Sequence, residues 1–184
     1  NLNSHWYFFN NGGDAATGWF KSPAGAWYYF NNNGQALTGW QTINSNRYYF
    51  DLNNSWALTG WQKLDSKWYY FDPINTWTTT GWFKSQAGLW YYFDDDGKAK
   101  TGWQVINGHH YYFDLNNAWA LTDWQKLDDK WYYFDSTNAW ALTGWQTINR
   151  HRYYFDNNGH AVTGYQYIDG KLYHFDQDNA WLLD

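Results

Sequence analysis

The sequence predicts an all-β chain, a solenoid of tandem β-hairpins with about three hairpins per superhelical turn. Three observations carry that expectation. Large aromatics recur at a fixed interval, with Trp19, Trp40, Trp61, Trp82, Trp103, Trp124 and Trp145 each 21 residues after the last and Tyr165 a further 20 on. A second run of rings follows each of them, as in Trp68-Tyr69-Tyr70-Phe71, and such runs favour strands. Between the two lie hairpin-turn pairs such as Asn107-Gly108 and Asp169-Gly170. An isolated two-stranded hairpin is marginal in water, so the units must be stabilised by stacking on their neighbours. About nine units of 20–22 residues fit within residues 1–184, the first lacking its opening half, and they read as one repeat domain. Beginning mid-pattern just before Trp6, the sequence reads as a fragment of a larger surface protein.

Within a unit, a small-residue step such as Thr59-Gly60 leads into a segment that alternates large and polar residues, as in Gly39-Trp40-Gln41-Thr42-Ile43. Asn44-Ser45-Asn46 reverses the chain, and Arg47-Tyr48-Tyr49-Phe50 returns it. Two linker types follow, Asn31-Asn32-Asn33-Gly34 in one class of copy and Asp51-Leu52-Asn53-Asn54-Ser55-Trp56 in the other. Strand alternation gives rings such as Tyr70 and Phe71 a packing role. The tryptophan before Tyr-Tyr is absent from half the units, which assigns Trp68 and its equivalents to function, since a ring that the fold requires would not be dispensable.

A longer period overlies the first. Residues 19–81 and 82–144 are identical at about 44 positions, so blocks of three hairpins repeat. A superhelix with three hairpins per turn accounts for this, and so does recent duplication of a three-unit block.

Composition narrows the function. Aromatic residues make up 26% of the chain while Cys and Met are absent, so rings must supply most of the buried apolar area. Without Cys there are no disulfides and no thiolate metal sites. The net charge of -5 argues against nucleic acid as a partner and suits a neutral or cationic ligand. No apolar run is long enough for a membrane-spanning helix, so no membrane insertion is expected. Asp94-Asp95-Asp96-Gly97 lacks calcium-loop spacing, and its counterpart Asn31-Asn32-Asn33-Gly34 is uncharged, so it reads as a turn. His109 and His110 are adjacent on a strand and face opposite ways, poor geometry for one metal, and no metal or cofactor is expected. No dyad or triad stands out from the repeats, so the chain is not expected to be an enzyme.

The units running from Thr59-Gly60-Trp61 to Trp68-Tyr69-Tyr70-Phe71-Asp72, and from Thr80-Gly81-Trp82 to Trp90-Tyr91-Tyr92-Phe93, resemble the cell-wall-binding repeats of the choline-binding protein family. That family attaches Gram-positive autolysins, phage lysins and surface proteins to choline-bearing teichoic acids. The pattern is also similar to the glucan-binding repeats of glucosyltransferases. The resemblance covers nearly the whole chain. It implies a left-handed solenoid with ligand cages between consecutive hairpins, each made of the Trp of Gly-Trp, the Trp before Tyr-Tyr, and a Tyr of the following unit.

Transferred residue by residue, the resemblance implies cages of Trp19, Trp27 and Tyr48; of Trp61, Trp68 and Tyr91; of Trp82, Trp90 and Tyr111; and of Trp124, Trp131 and Tyr153. Each ring face attracts a quaternary ammonium by roughly 0.5 to 2 kcal/mol, and no hydrogen bond is needed. Arg47, His110, Arg152 and Leu172 replace the second Trp elsewhere, leaving four incomplete units, and a fixed cation there would repel choline. Extra linker tryptophans, Trp56, Trp77, Trp119, Trp140 and Trp181, depart from the common choline pattern. They are walls for incomplete sites, platforms for a sugar ring, or seals over the groove.

Three functions are therefore expected in competition. They are a secreted, non-catalytic cell-wall or cell-surface attachment module for choline-bearing teichoic acid, a module for an α-glucan polymer, and a rigid spacer. Trp181-Leu182-Leu183 offers a terminal surface for a homodimer.

Overall fold

The computed structural model describes residues 5–183, and among them there is no helix. Every regular element is a strand, and strands pair with their sequence neighbours. β1 (Gly18–Lys21) pairs with β2 (Trp27–Phe30), β3 (Gly39–Ile43) with β4 (Asn46–Phe50), and β5 (Gly60–Leu64) with β6 (Lys67–Phe71). β7 (Gly81–Lys84) pairs with β8 (Trp90–Phe93), β9 (Gly102–Ile106) with β10 (His109–Phe113), and β11 (Asp123–Leu127) with β12 (Lys130–Phe134). β13 (Gly144–Ile148) pairs with β14 (His151–Phe155), and β15 (Gly164–Ile168) with β16 (Lys171–Phe175), to which β17 (Leu182–Leu183) adds a third strand. The chain is an all-β array of tandem hairpins, as the periodicity predicts. It divides into two compact units, residues 1–83 with 92–99, and residues 84–91 with 100–184.

The hairpin turns take the form their residues dictate. Asn44 and Ser45 have φ of 50° and 67°, and Asn107 and Gly108 have 51° and 80°, the two left-handed residues of a type I′ turn. That turn matches the right-handed strand twist and fixes register, so Ile43 faces Asn46 and Gly39 faces Phe50.

In the first unit, Phe50 and Phe71 end the second strands of their hairpins fully buried. Each is bridged by a small linker residue, Ala57 and Thr78 respectively. The same residue reaches the preceding hairpin: Ala57 N donates to the Trp27 carbonyl at 2.7 Å and Thr78 N to the Arg47 carbonyl at 2.8 Å. Ile43, Tyr48, Phe50 and Ala57 form one local core, with Trp27, Tyr29, Leu37 and Trp77 packed against it. Burying each such ring contributes about 1.5–3 kcal/mol, so stability is spread in small clusters along the chain.

The second unit repeats the scheme with Phe113, Phe134, Phe155 and Phe175 buried. There Ala120 N donates to the Trp90 carbonyl, Ala141 N to His110 and Ala161 N to Trp131.

The linkers differ by one residue. In the longer type, the Asp51 carboxylate accepts from the Asn53 and Asn54 backbone amides and from the Asn54 side chain. In the shorter type, the Asp94 carboxylate accepts from Asp96 N and Lys98 N, the plain turn expected of Asp94-Asp95-Asp96-Gly97. Gly97 has φ of 77°, and a Cβ there would lie 2.6 Å from the Thr78 Cβ, so stacking of linker on linker requires glycine. The longer linkers put a buried Ser55 or Thr76 in left-handed conformation instead.

Candidate functional site

The hairpin geometry brings the expected cage rings together. Trp19 lies on β1 and Trp27 on β2, offset by two positions in the register, and strand alternation puts them on one face. Their rings stand at 86° with centroids 6.0 Å apart. Tyr48, from β4 of the next hairpin, meets Trp19 at 4.9 Å and 59°. This third wall leans rather than standing square because it is a core residue, stacked on Phe50 at 6.2 Å and 27°. Together the three rings line a cleft of about 280 Å³.

A fourth wall was not foreseen. Ile74, Asn75 and Thr76, from the linker after β6, complete that cleft. Ile74 follows Trp27 by 47 residues, and the same interval recurs where the Trp6 indole donates to the Asn53 carbonyl and the Trp90 indole to the Thr137 carbonyl, each at 3.0 Å. One site thus draws on three consecutive hairpins. Its only sequence signal is a spacing of 47 residues, somewhat more than two unit lengths and too long to register as a motif. The Trp90 bond also gives a tryptophan of this class a structural duty beside the expected ligand-facing one.

In the second unit Trp124, Trp131 and Tyr153 repeat the arrangement, with Trp124 to Trp131 at 6.1 Å and 88° and Trp124 to Tyr153 at 4.8 Å and 58°. Trp61 and Trp68 form the same perpendicular pair at 6.1 Å and 89° in the first unit. Their expected partner Tyr91 is a buried residue of the second unit, which also holds Trp90 and Tyr111, while Trp82 lies in the first. Burial pushes the phenols of Tyr48, Tyr91, Tyr111 and Tyr153 above their ordinary value, and at Tyr48 a hydrogen bond with Asn46 opposes part of the shift. These walls stay neutral, presenting ring faces rather than phenolate charge.

The incomplete units have a different occupant. The Arg47 guanidinium lies 3.9 Å from the Trp40 ring centroid, and its Nη1 donates to the Asp96 carbonyl at 2.6 Å, with the Asp96 carboxylate at 3.5 Å. Arg152 covers Trp145 at 4.0 Å. Trp40 otherwise keeps the Trp19 geometry, meeting Tyr69 at 4.8 Å and 55°. In these copies the protein supplies its own cation to the indole face. Trp103, in the copy that carries His110, meets Tyr132 at 4.8 Å and 52°. At the last hairpin Tyr165 lies flat on His174, 4.0 Å away at 7°, and the perpendicular arrangement is lost.

The linker tryptophans divide among several surroundings. Trp140 stacks on His109 and Trp181 on His151, both at 4.4 Å. Trp77 packs on the first-unit core and shares a cleft of about 520 Å³ with Arg47, Asp72, Thr80 and Asp95. Trp56 is 39% exposed and shares a cleft of about 670 Å³ with Lys21, Trp27, Thr59 and Gln62. Trp119 accepts from Asp114 N through its carbonyl, as the linker scheme requires.

A family model described as "Choline-binding repeat" matches residues 1–38, 37–76, 58–101, 79–119 and 142–180, and one described as "Putative cell wall binding repeat" matches 122–137. The chain belongs to the choline-binding repeat family. Among solved structures, CbpJ of Streptococcus pneumoniae TIGR4 is similar at 30% identity over 97% of this chain and 70% of its own, with a TM-score of 0.85. Choline binding protein F of the same species, solved in the presence of a peptidoglycan analogue, is also 30% identical with the same coverage, at a TM-score of 0.81. The modular autolysin LytC of S. pneumoniae shares the fold at 21% identity and a TM-score of 0.66, over 98% of this chain and 43% of its own. A comparison with curated protein sequences finds no match.

The matched repeats contain β1 to β16, with β11 and β12 in the segment described as a putative cell wall binding repeat, and β17 lies beyond them.

Proposed function

We propose that this chain is a non-catalytic, secreted attachment domain that holds its bearer at a Gram-positive cell wall by binding the choline of teichoic acids in inter-hairpin aromatic cages. The observation that carries the reading is the cleft of Trp19, Trp27 and Tyr48, whose two indoles stand at 86° and leave about 280 Å³ between ring faces. Ring faces attract a quaternary ammonium electrostatically, and a group that cannot donate hydrogen bonds loses none on entering. Trp61 and Trp68, and Trp124 and Trp131, supply the equivalent walls in other hairpins. A polymer with many choline groups engages several weak sites at once, raising avidity by about 10² to 10⁴ over one site.

Isothermal titration with choline tests this, read alongside tryptophan fluorescence. Saturable binding with quenching is expected, and Trp27→Ala should remove one site from the stoichiometry, with a lowered thermal midpoint because Trp27 also packs on the local core.

A second reading has its own observation. The cleft of Arg47, Asp72, Trp77, Thr80 and Asp95 combines an indole with charged and hydroxyl groups, the chemistry of a sugar subsite. A response to dextran without one to choline would favour α-glucan recognition, and silence to both would leave a spacer.

A further inference from the structure

Arginine is scarce in this chain and unevenly placed. Of the three arginines, two are Arg150 and Arg152 in the β13–β14 hairpin, which also holds His151 and has no carboxylate between Gly144 and Phe155. It is the most basic hairpin of a chain whose net charge is -5. Both arginines are exposed, and among the described residues neither has an ion pair or a side-chain hydrogen bond. His151 is taken up by its stack on Trp181.

The hairpin fold does not account for the pair. Across the two-residue turns, the second left-handed residue is Ser45, Ser66, Gly108, Asp129, Arg150 or Gly170. The others are glycine or short polar residues, and only Arg150 puts a long cation where left-handed backbone carries a strain that glycine avoids. Arg152 covers the Trp145 ring at 4.0 Å, a contact that uses the face of its guanidinium and leaves the edge unengaged. Arg47 makes the same ring contact at 3.9 Å but commits its edge to Asp96, donating to the carbonyl and facing the carboxylate at 3.5 Å. Arg152 is thus held like Arg47, with its donors open to an outside partner.

We propose that Arg150 and Arg152 form an anion-binding patch that receives successive phosphates of a linear polyanion. A guanidinium fixed through its face and open along its edge matches two oxygens of one anion at once. A second arginine two residues away suits an anion that recurs along a chain, where each bound group raises the effective concentration of the next. A phosphate polymer carries its oxygens on the backbone, so contact orders no side chain, as a polycarboxylate would require. The acidic remainder of the molecule is screened beyond about 8 Å at physiological ionic strength, so the hairpin acts by its own charge. The patch uses neither the cleft of Trp19 and Trp27 nor its equivalents, and it stands or falls apart from the choline reading.

The test is isothermal titration of the full chain with linear inorganic polyphosphate and with polyglutamate of matched length, at low and high salt. Native protein should bind polyphosphate at low salt and release it as salt rises. Arg150→Gly and Arg152→Gln should each weaken that binding by about two- to five-fold, the scale of one exposed ion pair. Arg150→Gly relieves the turn, so a retained or raised urea midpoint shows that its lost affinity is not lost fold. Lys67→Gln removes the same charge from the β5–β6 hairpin and should leave the affinity unchanged. An equal loss in Lys67→Gln would reduce the effect to net charge and overturn the proposal, as would native protein that ignores polyphosphate. Polyglutamate bound as tightly as polyphosphate would overturn the assignment to phosphate.

Discussion

Trp68 and Phe71 sit three residues apart on β6 and answer to different demands. Phe71 is fully buried under the linker that bridges it at Thr78, so Phe71→Ala should destabilise by about 3–5 kcal/mol in urea unfolding. Trp68 is half-buried, and Trp68→Ala should weaken choline binding in the titration with little change in the urea midpoint. Thr76 is an internal conflict. It is β-branched, sits at a φ of 63°, and its buried hydroxyl has no hydrogen-bond partner. Thr76→Ala relieves the crowding and removes the orphaned hydroxyl, as at Ala118 and Ala139, and should raise stability by about 1 kcal/mol by urea unfolding. At this scale the sequence revealed which rings recur but not their neighbours. Tyr48 lines the cleft with Trp19 and Trp27, and it is equally a core residue stacked on Phe50. One residue holding two duties leaves a single trace in a repeat pattern.

Hairpins were the most legible elements, because Asn-Gly and Asp-Gly pairs demand left-handed backbone that few other residues accept. Where the pair departs from that rule, the conformation persists under strain. Arg150 has a φ of 68° beside Asn149. Arg150→Gly should therefore stabilise the β13–β14 hairpin by about 1 kcal/mol, measured as a rise in urea midpoint, since a non-glycine residue in the left-handed region costs roughly that much. The linkers were legible as loops but not as site walls. Ile74, Asn75 and Thr76 reach the cage of Trp27 only through hairpin stacking, and no local composition announces it.

For the molecule as a whole, the aromatic core sets a pH limit. Burial raises the phenols of Tyr48, Tyr69, Tyr91, Tyr111, Tyr132 and Tyr153 above the ordinary value of 10.0. A raised folded-state value means that the unfolded chain ionises first as pH climbs. The stabilisation is complete below 10.0 and is lost as pH rises through the folded values. Thermal midpoints should accordingly hold up to about pH 10 and fall above it, and Tyr132→Phe should lessen the fall. At Tyr132 burial is the main cause, with Asp156 and Asp128 adding to it, so removing that hydroxyl takes away one ionisation and leaves the ring.

The 47-residue reach of the fourth wall gives the array a kind of reading frame. Deleting residues 60–80, a single hairpin with its linker, would leave Trp27 its Tyr48 but bring Asp96 to the place in the linker that Ile74 now holds, replacing an apolar cover with a carboxylate. Copying one hairpin would likewise change the partner of each tryptophan whose reach spans the insertion. Only gain or loss in multiples of three keeps each tryptophan matched to its own kind of linker, as residues 19–81 and 82–144 do. Clefts in such an array are therefore inherited as phrases of three hairpins, and a chain lengthened one hairpin at a time would change the chemistry of its clefts as well as their number.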